Sequence, residues 1–369
     1  MNRLIRGAMQ KRWHGPLVGL GLIAVAFFVG RPCLAQTPPL TGNAAPEYAA
    51  FDEVVLAFMK RIDCRAATAA VSRKGRLVYS RGYGWSDAHK TKPTAPDSLL
   101  RIAGLTQPIT AAAVKKLIQE EKLTLDTKAF ELLKLKPPRG SNPDPRLGQI
   151  TVGHLLAYKG GWDAKLAFDP FTRLREIEKR LRLGHRPRPA DVVRYMLAEP
   201  LQFDPGSRVV YSNFGYCVLG RVIEKTSGKS YGAYIVEDLL KPLNIVDVKL
   251  ARNLVRERDP REVWYPVKDV PVEAMDSCAG LVASAPALCE FLERYWVSGD
   301  PRQAGEDRQW KFFGNIASTT AIVRQRADGY NIAVLCNGRR DESSEDEDDN
   351  LLDRLVNEAI DKVATARVN

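Results

Sequence analysis

Apolar positions change their spacing several times along the chain. From Glu47 to about Arg61, Phe51, Val54, Val55 and Phe58 recur at intervals of three and four, on one face of a predicted helix. Ala66–Val71 and Arg76–Tyr79 are short β-prone runs on either side of Arg73-Lys74-Gly75, which predicts a hairpin. Leu105–Glu121 reads as a helix with Pro108 in its first turn, where the missing N–H is tolerated. Thr151–Tyr158 predicts a short helix ended by Gly160-Gly161, and Tyr216–Thr226 a longer one ended by Ser227-Gly228. Four prolines within 137–147 mark a loop. Thr319–Arg324 and Tyr330–Leu335 predict two strands joined across Ala327-Asp328-Gly329. Leu351, Leu352, Leu355, Val356, Ala359, Ile360 and Val363 then trace a 3.6-residue stripe. Strands near both ends around a helical middle predict an α+β fold, with an antiparallel sheet assembled from distant parts of the chain and a helical lobe.

Composition narrows the class. With 369 residues, 45% apolar and 27% charged, the chain excludes a largely disordered protein, a collagen-like fibre and a polytopic membrane protein. Arg3, Arg6, Lys11 and Arg12 precede an uncharged stretch from Gly15 to Gly30, and Cys33-Leu34-Ala35 ends in small residues. Residues 1–35 are therefore expected to be a secretory signal, with an uncleaved anchor as the alternative, and export to the periplasm or the exterior follows. Membrane contact is expected only through an uncleaved signal. Residues 36–46, rich in Pro and Ala, read as a linker, and 47–369 as one two-lobed domain. The sheet lobe is expected over about 47–100 and 275–369, and the helical lobe over about 101–274.

The signal carries five of the basic residues and no acidic one, so the net charge of +11 falls to +6 without it. The basic stretch Arg173, Arg175, Lys179, Arg180, Arg182, Arg186 and Arg188, opposed by Glu176 and Glu178, supplies most of that excess. It is read as a solvated helix face, and no nucleic-acid partner is expected. The acidic run Asp341, Glu342, Glu345, Asp346, Glu347, Asp348 and Asp349 lacks the spacing of a calcium loop. Part of it favours the N-terminus of the last helix, and the rest reads as a solvated loop. Of six cysteines, five lie beyond the signal, an odd number that leaves at least one thiol free or intermolecular. No Cys-x-x-Cys occurs and histidines are few, so neither a metal nor a cofactor is expected.

A set of short motifs, in order, gives the chain a family likeness. They are Gly75-Arg76-Leu77-Val78-Tyr79-Ser80-Arg81-Gly82-Tyr83-Gly84, Leu100-Arg101-Ile102-Ala103, Pro108-Ile109-Thr110-Ala111-Ala112-Ala113 and Ile150-Thr151-Val152-Gly153-His154-Leu155-Leu156. Tyr211-Ser212-Asn213-Phe214-Gly215-Tyr216, Gly280-Leu281-Val282-Ala283-Ser284 and Ala333-Val334-Leu335-Cys336-Asn337 complete the set. Over about residues 50–365 the chain resembles the β-lactamase-related serine hydrolases, which include class C β-lactamases, D-alanyl-D-alanine carboxypeptidases and esterases. The resemblance implies the β-lactamase/transpeptidase-like fold.

It also implies a Ser-x-x-Lys motif at the start of the long helix, where the lysine takes the serine's proton. The matching stretch here is Gly104-Leu105-Thr106-Gln107. Gly104 offers no nucleophile and Gln107 no base. The family's Tyr-x-Asn loop is retained as Tyr211-Ser212-Asn213. Its third motif, a small-residue strand with Lys or His before Gly, falls near Lys311-Phe312-Phe313-Gly314. Gly314 matches the glycine, and Phe312 takes the basic position unless a slip of one residue puts Lys311 there. Trp162, after Gly160-Gly161, reads as either a ligand wall or a packed turn aromatic.

The expectation is an exported relative without hydrolase activity that binds a peptide, a peptidoglycan fragment or a small carboxylate. Gly104, through its N–H, would serve with Tyr211, Asn213, Trp162 and Gly314. A cleft closed by Phe312 and Phe313 is the alternative at the site. An active hydrolase with a non-standard nucleophile, and a structural interaction module, are the alternatives for the whole chain.

Overall fold

The computed structural model describes residues 37–366, apart from 44, 268, 304, 305 and 307. The expected signal over residues 1–35 lies outside the described residues. A unit beginning at Pro38 holds every element below. Strands β1 (Leu40–Thr41), β2 (Ala66–Arg73) and β3 (Arg76–Gly84) come early in the chain, while β7 (Trp310–Ile316), β8 (Thr319–Gln325) and β9 (Tyr330–Cys336) come late. They form one antiparallel sheet in the order β1-β3-β2-β9-β8-β7. A small second sheet joins β4 (Leu100–Arg101), β6 (Leu281–Ala283) and β5 (Val248–Leu250). The presumed linker is thus structured in part, since Leu40 and Thr41 pair with Tyr83 and Gly82 and extend the sheet edge.

The helices, in chain order, are α1 (Ala49–Arg61), α2 (Thr106–Gln119), α3 (Ala129–Leu133), α4 (Val152–Leu156), α5 (Leu174–Leu181), α6 (Pro189–Met196), α7 (Asn213–Ser227), α8 (Tyr231–Ala233), α9 (Asp276–Ala279), α10 (Ala285–Arg294) and α11 (Glu345–Ala366). Helices α1 and α11 cover one face of the large sheet. Phe51, Val55, Phe58, Leu352, Val356 and Ile360 pack there against Ala67, Ala69, Val71 and Val334. The other face takes Ala66, Ala70, Ala333 and Leu335 into a core shared with α2, α7 and α10. The sheet is buried on both sides, which is why β2 reads as an unbroken run of small and apolar residues instead of alternating.

The acidic run is more structured than expected. Helix α11 starts at Glu345, so Glu345–Asp348 form its first turn, where negative charge is favoured. Asp348 is buried and paired with Arg61 at 2.7 Å and Arg340 at 2.8 Å. Asp341 accepts from Ser344 N at 3.1 Å and caps the turn before it. Glu345 also pairs with Arg339, and Glu347 with Arg61 and Arg340, partners that sequence spacing alone does not reveal. The basic stretch stays largely exposed along α5 and the loop after it.

Asp349 is also buried, and it accepts a hydrogen bond from Asn315 Nδ2 at 2.8 Å. Burial pushes its carboxyl up to about 7 from 3.8. The folded state then holds a proton that the unfolded chain has lost between those values, so this group's contribution falls as pH rises from about 4 through 7. Asp349→Asn is expected to stabilise the fold at pH 8 by about 2 kcal/mol and to change little at pH 4. Urea unfolding at the two pH values measures the difference.

Candidate functional site

Strand β4 ends at Arg101, and the chain turns through Ile102, Ala103 and Gly104 into α2. Ala103 has φ +45°, a left-handed conformation that costs a residue with a Cβ about 1 kcal/mol or more. Strand β7 lies directly over this turn. A Cβ on Gly314 would sit 2.2 Å from the Ile102 carbonyl oxygen, so only glycine allows that approach. At Gly104 a Cβ would meet the Phe313 carbonyl oxygen at 2.9 Å and the Tyr211 hydroxyl at 3.3 Å. Position 104 is therefore a slot between α2 and β7, buried and closed in by backbone.

Gln107 follows three residues later, on the first turn of α2, and its side chain is wholly buried. Its Nε2 donates to the Tyr211 hydroxyl at 2.7 Å and to Asn213 Oδ1 at 3.1 Å. Its Oε1 accepts from the Tyr158 hydroxyl at 2.6 Å. Tyr211 in turn donates to Asn213 Oδ1 at 3.0 Å, and Asn213 Nδ2 donates to Asp169 Oδ2 at 2.9 Å. Both amide hydrogens and the amide oxygen of Gln107 are thus engaged.

Local capping places these groups. Ser212 accepts from Gly215 N and caps α7, which puts Asn213 at the first helical position and Tyr211 just outside it. Asp169 caps the turn Pro170–Arg173 with its other oxygen. Tyr158 leaves α4 with φ +56°, and its carbonyl accepts from Val210 N at 2.9 Å, which ties the two loops together. The rings of Tyr158 and Tyr211 stack at 5.4 Å.

Tyr211 is half-exposed, but its hydroxyl turns inward onto Gln107 and Asn213. Burial pushes the Tyr211 and Tyr158 phenols well above their ordinary value, and Tyr216 up to about 12. A lysine ammonium at position 107 would work against that shift. With a neutral amide there, these phenols stay protonated at neutral pH. Around Gln107 the ring is built of neutral groups, the three tyrosine phenols and the Asn213 amide, with the Asp169 carboxylate beyond Asn213.

Strand β7 resolves the third motif. Lys311 Nζ bonds to Asp353 on α11 at 3.1 Å, and Phe313 packs on the same face of the sheet. Phe312 points to the opposite face, toward α2. Phe312 is therefore the side chain on the α2 side, while the Lys311 ammonium lies on the other face with Asp353. Phe313 cannot fill the cleft for the same reason. Trp162 is also buried, with its ring edge-on to Phe214 at 4.6 Å, so it packs beneath the loops as a turn aromatic.

The structure thus brings together Gly104, Gln107, Tyr211, Asn213 and Gly314, and leaves Trp162 apart. It adds Tyr158 and Asp169, which sequence reasoning missed. Asp169 precedes Pro170, a helix-start signal that could have drawn attention to it. Nothing in the sequence marks the left-handed turn that aims Tyr158.

Beside this ring lies a cavity of about 580 Å³, walled by Pro108, Leu156, Tyr158, Tyr216, Trp310 and Phe312. Two of its charged groups, Lys115 and Asp300, pair with each other at 2.6 Å. Gly104 and Gln107 are buried and do not line it. Among the described residues, no cluster of three His, Cys, Asp or Glu side chains is placed to hold a metal ion, and no helix is long and apolar enough to cross a membrane.

The Beta-lactamase family model matches residues 51–338. The probable fimbrial assembly protein FimD, serogroup H1, of Dichelobacter nodosus is 36% identical over 165 residues, which are 44% of this chain and 38% of that protein. Esterase EstB of Burkholderia gladioli is 32% identical over 190 residues, 49% of this chain and 46% of that one. The chain spans less than half the length of these curated relatives. The solved D-amino acid amidase of Ochrobactrum anthropi SV3 superposes with a TM-score of 0.67 at 19% identity, covering 86% of this chain and 99% of that one. That likeness carries the fold, which is β-lactamase/transpeptidase-like.

Gly104→Ala puts a methyl group against the Phe313 carbonyl, and a loss of about 1–3 kcal/mol in urea unfolding is expected. Gln107→Leu leaves the Tyr158 hydroxyl without its acceptor and removes the donor shared by Tyr211 and Asn213, which keep the bond between them. It is expected to lower stability by at least about 2 kcal/mol in the same measurement.

Proposed function

The chain belongs to the Beta-lactamase family, and on that premise we propose that this member lacks serine-hydrolase activity and acts by binding. The observation that carries the reading is the state of the Ser-x-x-Lys positions. Gly104 has no nucleophile and is boxed in by backbone, while Gln107 has its whole amide committed to Tyr158, Tyr211 and Asn213. Losing the nucleophile alone costs on the order of 10⁶ in turnover in the serine-hydrolase benchmark. The buried phenols do not replace the base, because they hold their protons well above neutral pH.

The place for a ligand is the cavity beside the ring rather than Gly104 itself. Its volume of about 580 Å³ falls in the range of small-molecule sites, and its wall is mainly aliphatic and aromatic. Lys115 pairs with Asp300 and Lys311 with Asp353, so the charged groups of the lining have counter-ions already. A peptide or cell-envelope fragment that inserts an apolar side chain fits this lining. Export to the periplasm or exterior, proposed from the basic and then apolar start of the chain, would place the protein beside such ligands.

Two measurements test the reading. Fluorescent penicillin and a fluorophosphonate probe are expected to leave the protein unlabelled after hours, and labelling abolished by one named substitution would instead identify an active hydrolase. Peptidoglycan stem peptides at millimolar concentration are expected to raise the melting temperature, and Phe312→Asp in the cavity wall to remove the rise. A flat response in the wild-type protein would overturn binding of this ligand class.

A further inference from the structure

Cys217, Cys278 and Cys289 are fully buried, and each thiol is directed to a backbone carbonyl. Cys64 and Cys336 differ from them. Cys64 lies in the corner between α1 and β2 and is partly exposed, while Cys336 is the last residue of β9 and is buried. The β2–β9 ladder pairs Ala67 with Cys336, and Ala66 accepts from Asn337 N at 2.9 Å. The corner folds back tightly on the strand exit, since a Cβ on Gly338 would lie 2.7 Å from Cys64 Cα and 2.8 Å from its Cβ. Both side chains enter the same core, between the sheet and helices α1 and α11. The Cys64 side chain is the chief neighbour that pushes the Cys336 thiol up. The Cys64 thiol also reaches Ala66 O at 3.1 Å and Asn337 Oδ1 at 3.4 Å.

We infer that Cys64 and Cys336 are a disulfide-forming pair, open to oxidation by a small disulfide through Cys64 and closed internally by Cys336. Both thiols are reduced in this structure. The order of events follows from exposure. The Cys64 thiolate attacks one sulfur of an external disulfide such as oxidised glutathione, forms a mixed disulfide and releases one glutathione thiolate. Cys336 then loses its proton to solvent and attacks Cys64 Sγ, which releases the second glutathione and leaves the internal bond. Overall two protein thiols and one oxidised glutathione become one protein disulfide and two reduced glutathiones. The neighbouring Cys64 side chain and burial hold the Cys336 thiol well above its ordinary value, so it is the resolving rather than the attacking partner.

The link would bind the start of β2 to the end of β9, two neighbouring strands drawn from opposite ends of the domain. Cross-linking positions so far apart in sequence restricts the unfolded chain strongly. It also accounts for an even share of the cysteines beyond the presumed signal and leaves three buried thiols that need no partner.

The test uses the purified full chain, reduced, freed of reductant and exposed to oxidised glutathione at pH 8. Free thiols are then alkylated, and the protein is digested without reduction. The expected result is a peptide joined through Cys64 and Cys336, with Cys217, Cys278 and Cys289 alkylated only after denaturation. The melting temperature should rise by several degrees over the reduced protein, and Cys64→Ser should remove both the joined peptide and the rise. Recovery of Cys64 only as its glutathione adduct, or joined to a second chain, would overturn the inference. So would recovery of both thiols unmodified.

Discussion

The backbone of β7 presses onto the turn that leads into α2, and the candidate site takes its form from that contact. Gly314 lets the strand come within reach of the Ile102 carbonyl, and Gly104 accepts the Phe313 carbonyl from the other direction. The left-handed Ala103 lies between them. Two glycines, on elements far apart in sequence, thus fix the distance between the sheet and the first helix of the helical lobe. A larger residue at either position would have to move backbone, which a packed interior resists.

That contact fixes where position 107 lies, and the residue there sets the character of the site. A base at position 107 has to carry charge, whereas a structural residue there has only to satisfy its neighbours. Gln107 does the second task fully, with two donors and one acceptor matched to Tyr211, Asn213 and Tyr158. A buried network with every member satisfied is rigid, and a neutral one avoids the desolvation cost of an ammonium. The retained tyrosine and asparagine are therefore accounted for by the packing of three loops, without any need for turnover.

Much of this was legible in the sequence. The periodic stripe of α11, the hairpin around Lys74-Gly75 and the Gly228 end of α7 follow from local spacing, and the structure has each of them, whereas α4 stops at Leu156, short of Gly160-Gly161. The order of short motifs carried the fold, and the changes at Gly104 and Gln107 were visible as letters. What stayed hidden depends on three dimensions. Which face of β7 carries Lys311 turns on a single residue of register. Tyr158 reaches Gln107 because of a dihedral angle that no residue type there announces. Asp348 and Asp349 looked like solvent-facing acids until Arg61, Arg340 and Asn315 came from other parts of the chain to meet them.

The order of strands also bears on how the chain reaches this state. Strand β2 forms its hairpin with β3 early, yet its other edge waits for β9, which is made almost a full domain later. During synthesis that edge presents unpaired N–H and C=O groups flanked by small apolar residues, the combination that invites pairing with another chain. Productive folding therefore depends on long-range closure rather than on local nucleation, which makes it slow for the domain's size. The same arrangement that gives the finished sheet its doubly covered centre leaves β2 half-paired until β9 has been made.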